Sequence, residues 1–235
     1  MWQPTTYAAA LGLMLLSMLA WGSWDNTQNL ARWRFELFYW DFIWGSVAGA
    51  ILLAFGLGDI HSFAAASVRA LGWAFAGGVI WNLGNLLLVA AISMAGMAVA
   101  FPVGIGLSLV IGGILNYFVQ PAGSPYWLFG GIALICLAMV SDAFAYRGLE
   151  RARGSSHGKG AKGIVLSLLC GVVLGLYYPL VAKAMQGPGG LGPYSVLVVF
   201  VLGALASNFV FNAYFMHHPV HGPPVGWSDY GRGAW

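Results

Sequence analysis

From Leu71 to Ser141 the chain runs for 71 residues without one Asp, Glu, Lys, Arg or His. A water-soluble domain carries charge on about a quarter of its residues, so a stretch this long cannot belong to one. As a helix rising about 1.5 Å per residue it would reach about 106 Å, more than three times a hydrocarbon layer of about 30 Å. It therefore has to fold back on itself inside lipid. The remainder agrees: 7% charged residues, 60% hydrophobic residues and a mean hydropathy of +0.78 leave no segment able to form a soluble domain. The fold class predicted is all-α, a polytopic membrane helix bundle.

Turn residues, not charges, divide the apolar runs. Spans are predicted over about 7–24, 42–57 (opened by Glu36 and Asp41), 71–92, 97–119, 126–144, 163–185 and 194–216. The breaks between them include Gly58-Asp59-Ile60-His61, Ser93-Met94-Ala95-Gly96, Gln120-Pro121-Ala122-Gly123-Ser124-Pro125 and the Gly/Pro cluster at 187–193. Seven transmembrane helices result, with one strongly polar segment at 147–162 and a Pro-rich tail at 217–235 too polar to cross. Basic residues collect on the cytoplasmic side of a membrane. An external N-terminus puts Arg32, Arg34, Arg147, Arg151, Arg153, Lys159, Lys162 and Arg232 inside and leaves only Arg69 and Lys183 outside. The N-terminus is therefore expected outside the cytoplasmic (inner) membrane. No Lys or Arg precedes Arg32, so the first span lacks the basic leader of a cleavable secretory signal.

The +3 net charge, most of it in one loop, is a topology signal and not a nucleic-acid patch. Cys136 and Cys170 lie in apolar runs without metal-ligand spacing, and neither a metal nor a cofactor is implied. His217-His218-Pro219-Val220-His221 resembles one histidine box of a di-iron enzyme, but such sites need several boxes and only His61 and His157 remain. No pairing of nucleophile and base occurs in the spans. The chain does not read as an enzyme. Gly154-Ser155-Ser156-His157-Gly158-Lys159-Gly160 departs from a phosphate-binding loop in spacing and in lacking a final Ser or Thr; it reads as a linker.

The fourth span carries small residues at every fourth position, Gly96, Ala100, Gly104, Ser108 and Gly112, ending at Asn116. Such ridges let helix backbones approach closely in lipid. Pro102 in the same helix leaves the carbonyl of Ala98 without its usual donor, so the span is either a tight packing seam or a pivot beside a solute path. A faint echo links Ser17, Gly22, Trp24 and Ala31 to Cys170, Gly175, Tyr177 and Ala184, 153 positions later.

At Trp21-Gly22-Ser23-Trp24-Asp25-Asn26-Thr27 and Phe35-Glu36-Leu37-Phe38-Tyr39-Trp40-Asp41 the chain resembles the bacterial glucose/ribose-type sugar uptake proteins and plant ureide permeases of the drug/metabolite transporter superfamily. The resemblance continues through Asn82-Leu83-Gly84-Asn85-Leu86-Leu87-Leu88-Val89-Ala90-Ala91, Ala95-Gly96-Met97-Ala98-Val99-Ala100-Phe101-Pro102-Val103-Gly104-Ile105-Gly106, Gly175-Leu176-Tyr177-Tyr178-Pro179-Leu180, His218-Pro219-Val220 and Asp229-Tyr230. It implies ten helices in two inverted five-helix repeats around a central cavity, with uptake of a small polar solute, often proton-driven. On that pattern residues 1–146 are the first repeat, 147–162 the basic cytoplasmic loop, 163–216 the first two helices of the second repeat and 217–235 a polar tail. The last three helices are expected to be missing, which raises a homodimer or a partner half-subunit as alternatives to stand-alone transport.

Buried amides need partners, and carboxamides beside aromatic rings suit a sugar or a ureide. The substrate-binding residues expected are Trp21, Trp24, Asn26, Asn82, Asn85, Asn116, Tyr177 and Tyr178, with Tyr117 beside Asn116, while Asn208 and Asn212 are taken as helix-packing amides. Acids inside a membrane are functional candidates by default. Glu36 and Asp41 are the proton-coupling candidates, with Asp25 and Asp142 behind them, unless Glu36 is tied up in an i, i+4 ion pair with Arg32. The function expected is a permease for a small polar solute, a sugar first and a ureide or nucleobase second.

Overall fold

The computed structural model describes residues 2–31, 33–119, 121, 123–153, 158–220 and 222–233, without the side chains at 24–26, 28–29, 31, 97–98, 143, 146–147, 149–153, 158–161 and 232–233. Among these the chain forms eight α-helices, one short 3-10 turn and no strand. They are α1 (Tyr7–Ala31), α2 (Phe35–Gly56), α3 (Val68–Ala95), α4 (Met97–Val119), α5 (Pro125–Arg153), α6 (Gly158–Ala184), α7 (Pro193–His217) and α8 (Trp227–Gly233), with the 3-10 turn Ile60–Ala65 between α2 and α3. Among the described residues, six helices, α2 to α7, are long and apolar enough to cross a membrane. The first predicted span is present as α1, whose apolar part, Tyr7–Ser23, is shorter. This is a multi-pass membrane protein.

The helices pack as a row, α5–α4–α6–α3–α7–α2, in which each touches the next. At the centre α3 is the most enclosed, burying Trp81, Asn82, Gly84, Asn85, Leu86 and Leu88 among others. At the margin α5 meets only α4 closely and its membrane-length stretch keeps no buried residue. The predicted ridge on α4 forms the seam with α6. Gly104 stands against Cys170 and the Ser167 carbonyl, and Gly112 against the Gly175 backbone. Gly96 belongs to the turn and not to the ridge: its φ of +80° ends α3, a conformation glycine adopts without a Cβ clash.

The α3–α7 crossing is tighter still. A Cβ on Gly78 would stand 1.8 Å from the Phe200 carbonyl oxygen, and one on Gly203 would stand 2.2 Å from the Phe75 carbonyl oxygen. Each glycine thus accepts the other helix's backbone. The successive contacts 67–189, 78–200 and 82–207 make α3 and α7 run in the same direction. Contacts 36–212 and 40–209 make α2 run against α7. Alternating crossings of a membrane require both relations.

The connection from α2 to α3 is fastened to the start of α7. Buried Asp59 accepts from the backbone N–H of Tyr194 at 2.8 Å and of Ser195 at 2.7 Å. The Ser195 hydroxyl donates back to the Asp59 carbonyl at 2.7 Å. A carboxylate here satisfies helix-terminal donors and complements the positive end of the helix.

One sequence expectation shifts. The polar segment at 147–162 is largely helical, since α5 continues to Arg153 and α6 opens at Gly158; residues 154–157 of the phosphate-loop lookalike lie outside the described residues. The tail after α7 folds back onto the bundle. Val225 donates its N–H to the Met216 carbonyl and packs with Leu37, Trp40 and Met216, while Trp227 lies 4.9 Å from Trp40 and Tyr230 lies 5.2 Å from Trp33.

Candidate functional site

On α2, α3, α6 and α7, large aromatic residues fall on the sides that face one another and hold the backbones apart. A chamber of about 640 Å³ opens between them. Its walls are Phe42, Ser46 and Leu53 of α2, Trp81 of α3, Tyr177, Tyr178 and Val181 of α6, and Val196, Leu197 and Phe200 of α7, with Trp21 of α1 at one side. The rings meet as a connected set. Phe42 and Trp81 are stacked with centroids 6.3 Å apart, Trp81 lies 5.5 Å from Phe200, and Phe200 lies 5.8 Å from Tyr177. Apart from ring N–H and O–H groups, Ser46 is the polar side chain in this wall, and its hydroxyl is turned back onto the Phe42 carbonyl at 2.8 Å. An apolar, aromatic chamber with few polar groups is the usual form of a small-molecule site.

Below the aromatic floor lies a layer of buried amides. Tyr39 of α2 donates to the Asn82 side-chain oxygen at 2.8 Å, and Asn82 in turn donates to the Ser207 hydroxyl at 2.9 Å. Asn85 donates to the Tyr39 oxygen at 3.0 Å, and Asn212 donates to the backbone carbonyl of Glu36 at 2.8 Å. All four asparagines of this layer, Asn82, Asn85, Asn208 and Asn212, are at most 1% exposed. The side-chain oxygens of Asn85 and Asn212 and both amide atoms of Asn208 have no hydrogen-bond partner among the described residues. Each unpaired buried group costs about 1–3 kcal/mol.

Beyond the layer is a second, smaller cavity of about 130 Å³, lined by Arg34, Phe35, Glu36, Leu86, Val89, Ser93 and Phe215. Here Glu36 is buried and Arg34 grips both of its carboxylate oxygens, at 2.8 and 3.1 Å. Arg34 also donates to the Pro223 carbonyl at 2.9 Å. Among the described residues the ion-pair partner of Glu36 is Arg34; the expected partner Arg32 lies outside the described residues. Asp41 points away from this cavity. It is exposed, and it accepts from the Tyr230 hydroxyl of α8, a hydrogen bond that pushes the phenol above its ordinary range.

Of the predicted substrate residues, Trp21, Tyr177 and Tyr178 line the large chamber, and Asn82 and Asn85 lie in the amide layer. Asn116 is on α4, away from both cavities, its oxygen buried without a partner. The side chains of Trp24, Asp25 and Asn26 lie outside the described residues; Asp142 is exposed on α5. His217 and His218 are exposed at the end of α7, and His221 is outside the described residues. Sequence reasoning missed Phe42, Trp81 as a wall residue, Phe200, Tyr39 and Ser207. The one available signal was that Trp81 and Ser207 adjoin Asn82 and Asn208 in sequence; α2, which carries Tyr39 and Phe42, has no amide.

No family model and no solved structure matches the chain. Among curated proteins it is similar to ureide permeases of Arabidopsis thaliana. Ureide permease 2 is 29% identical over 153 residues and ureide permease 4 is 30% identical over 151, alignments that cover 59% and 58% of this chain and 38% of either relative. Ureide permease 1 is 22% identical over an alignment of 293 positions, covering 95% of this chain and 75% of the relative. The chain is thus similar, at low identity, to proteins named ureide permeases, and its match to the first two spans well under half of their length.

Proposed function

We propose that this protein is a membrane transporter, a permease for a small, flat, polar solute of the ureide or nucleobase kind, working by alternating access across the cytoplasmic membrane with its N-terminus outside. The observation that carries the reading is the succession of two cavities along the α2–α3–α7 interface, separated by one closed layer of amides. A pore would be continuous and an enzyme would converge its polar groups on one pocket. A chamber on either side of a closed layer suits a carrier that opens to each side in turn. The relatives' names favour a ureide over the sugar expected first. The chamber agrees in chemistry, because flat rings stack on Trp81, Phe42 and Phe200 whereas a sugar seeks many hydrogen-bond partners and this wall offers few, Ser46 and the ring N–H and O–H groups.

Glu36 is the proposed proton carrier. It is the buried acid beside the smaller cavity, and Arg34 gives its carboxylate a partner to leave and rejoin. The experiment is uptake into proteoliposomes carrying the purified chain, with radiolabelled allantoin, uracil and glucose. Saturable uptake of allantoin or uracil, increased by an inward proton gradient and not competed by glucose, is expected. Uptake of glucose alone, or no flux of any of the three, refutes the reading.

A further inference from the structure

We infer that Asn208 and Asn212 of α7, together with Asn85 of α3, form a second solute site inside the amide layer, one that takes N–H-rich ureido groups. This rests on the permease reading. On each of three helices the same order recurs. In α2 Phe42 lines the large chamber, Glu36 the small one, and Tyr39 stands between. In α3 the order is Trp81, then Asn82 and Asn85, then Leu86; in α7 it is Phe200, then Ser207, Asn208 and Asn212, then Phe215. A solute passing between the chambers has to cross this layer.

The hydrogen bonds fix which amide ends remain. Tyr39 has one hydroxyl proton and spends it on Asn82, so toward Asn85 it can only accept. The Asn85 amino group is therefore the bonded end and its carbonyl oxygen the unpaired one. Asn212 faces a backbone carbonyl, which likewise can only accept, so its oxygen is also the unpaired end. Asn208 has neither end paired. Three carbonyl oxygens and one amino group are left, all fully or almost fully buried. An amide kept for packing would use both ends, as Asn82 does. Three unpaired oxygens against one wholly unpaired amino group suit a ureido group, which offers several N–H donors around each carbonyl. Sugar hydroxyls donate and accept alike and match no such bias.

The test is equilibrium binding of radiolabelled allantoin to the purified full chain and its Asn208→Leu variant, with thermal unfolding in the same detergent. Leucine fills the amide's volume and removes two unpaired polar atoms, so Asn208→Leu should melt several degrees higher and bind allantoin at least tenfold more weakly. Asn208→Ala serves if the leucine variant does not fold, with the same tenfold loss expected. Allantoin affinity within twofold of wild type in the folded variant overturns the site, leaving water as the layer's occupant. No allantoin binding by the wild-type chain overturns it too. Binding by wild type that Asn208→Leu weakens, without uptake in vesicles, supports the site while removing the permease reading.

Discussion

Gly78→Ala puts the α3–α7 crossing to a quantitative test. The new methyl carbon would stand 1.8 Å from the Phe200 carbonyl oxygen, 2.8 Å from its carbon and 3.0 Å from the Ala204 nitrogen. All three are backbone atoms, so no side chain can swing aside. Restoring ordinary contact at about 3.4 Å requires the helices to part by about 1.6 Å. One turn further along, Asn82 donates to Ser207 at 2.9 Å; the same parting stretches that bond to about 4.5 Å and breaks it. Overpacking costs about 1–3 kcal/mol and the lost bond, with its amide left buried, about 1–3 kcal/mol more, a loss of about 2–6 kcal/mol in all. The assay is unfolding by SDS titration in mixed micelles, followed by circular dichroism. Gly72→Ala on the same helix, where nothing lies within 4 Å of the added carbon, is the control, and should be neutral or gain up to about 1 kcal/mol from helix propensity. Equal stability of the two variants would refute the claim that these backbones are locked in contact.

Three further outcomes follow from the same geometry. Asp59→Ala removes the carboxylate oxygen that accepts from both N–H groups at the start of α7 and should cost about 1–2 kcal/mol, read by the same titration, with Asp59→Asn losing less because an amide oxygen can still accept. Tyr39→Phe deletes the hydroxyl that joins Asn82 to Asn85 and should cost about 2–3 kcal/mol; a neutral result would mean that the two amides find each other without it. Glu36→Gln should abolish proton-driven accumulation of allantoin while sparing allantoin exchange across the vesicle membrane, and accumulation at the wild-type level would remove Glu36 from coupling.

The spans were legible because lipid leaves the sequence few options: apolar runs of membrane length, cut by glycine and proline, can only be helices. Where helices end was less legible. Charge marks the exit from hydrocarbon, but the residues after Phe144 include Arg, Leu and Glu, which favour helix in water too. Helix α5 therefore runs on to Arg153. Arg34 is extended (φ −60°, ψ 134°) and α2 starts at Phe35, so the arginine next to the helix start reaches Glu36 across that break, a pairing helical spacing does not suggest. In the site, Asn82 and Asn85 stood out as polar residues in a charge-free run. Tyr39, Ser207 and Phe200 did not, because their role depends on which helices are neighbours, and spacing within one helix carries no record of that.

The folded-back tail ties the fates of two helix ends together. Trp227 rests on Trp40 near the beginning of α2, Val225 is bonded to Met216 near the finish of α7, and Arg34 holds the Pro223 carbonyl while serving Glu36. Neither helix end can swing outward alone without tearing that clasp. Access to Glu36 from this face consequently demands that α2, α7 and the strap across them move as one body, or that the strap lift first.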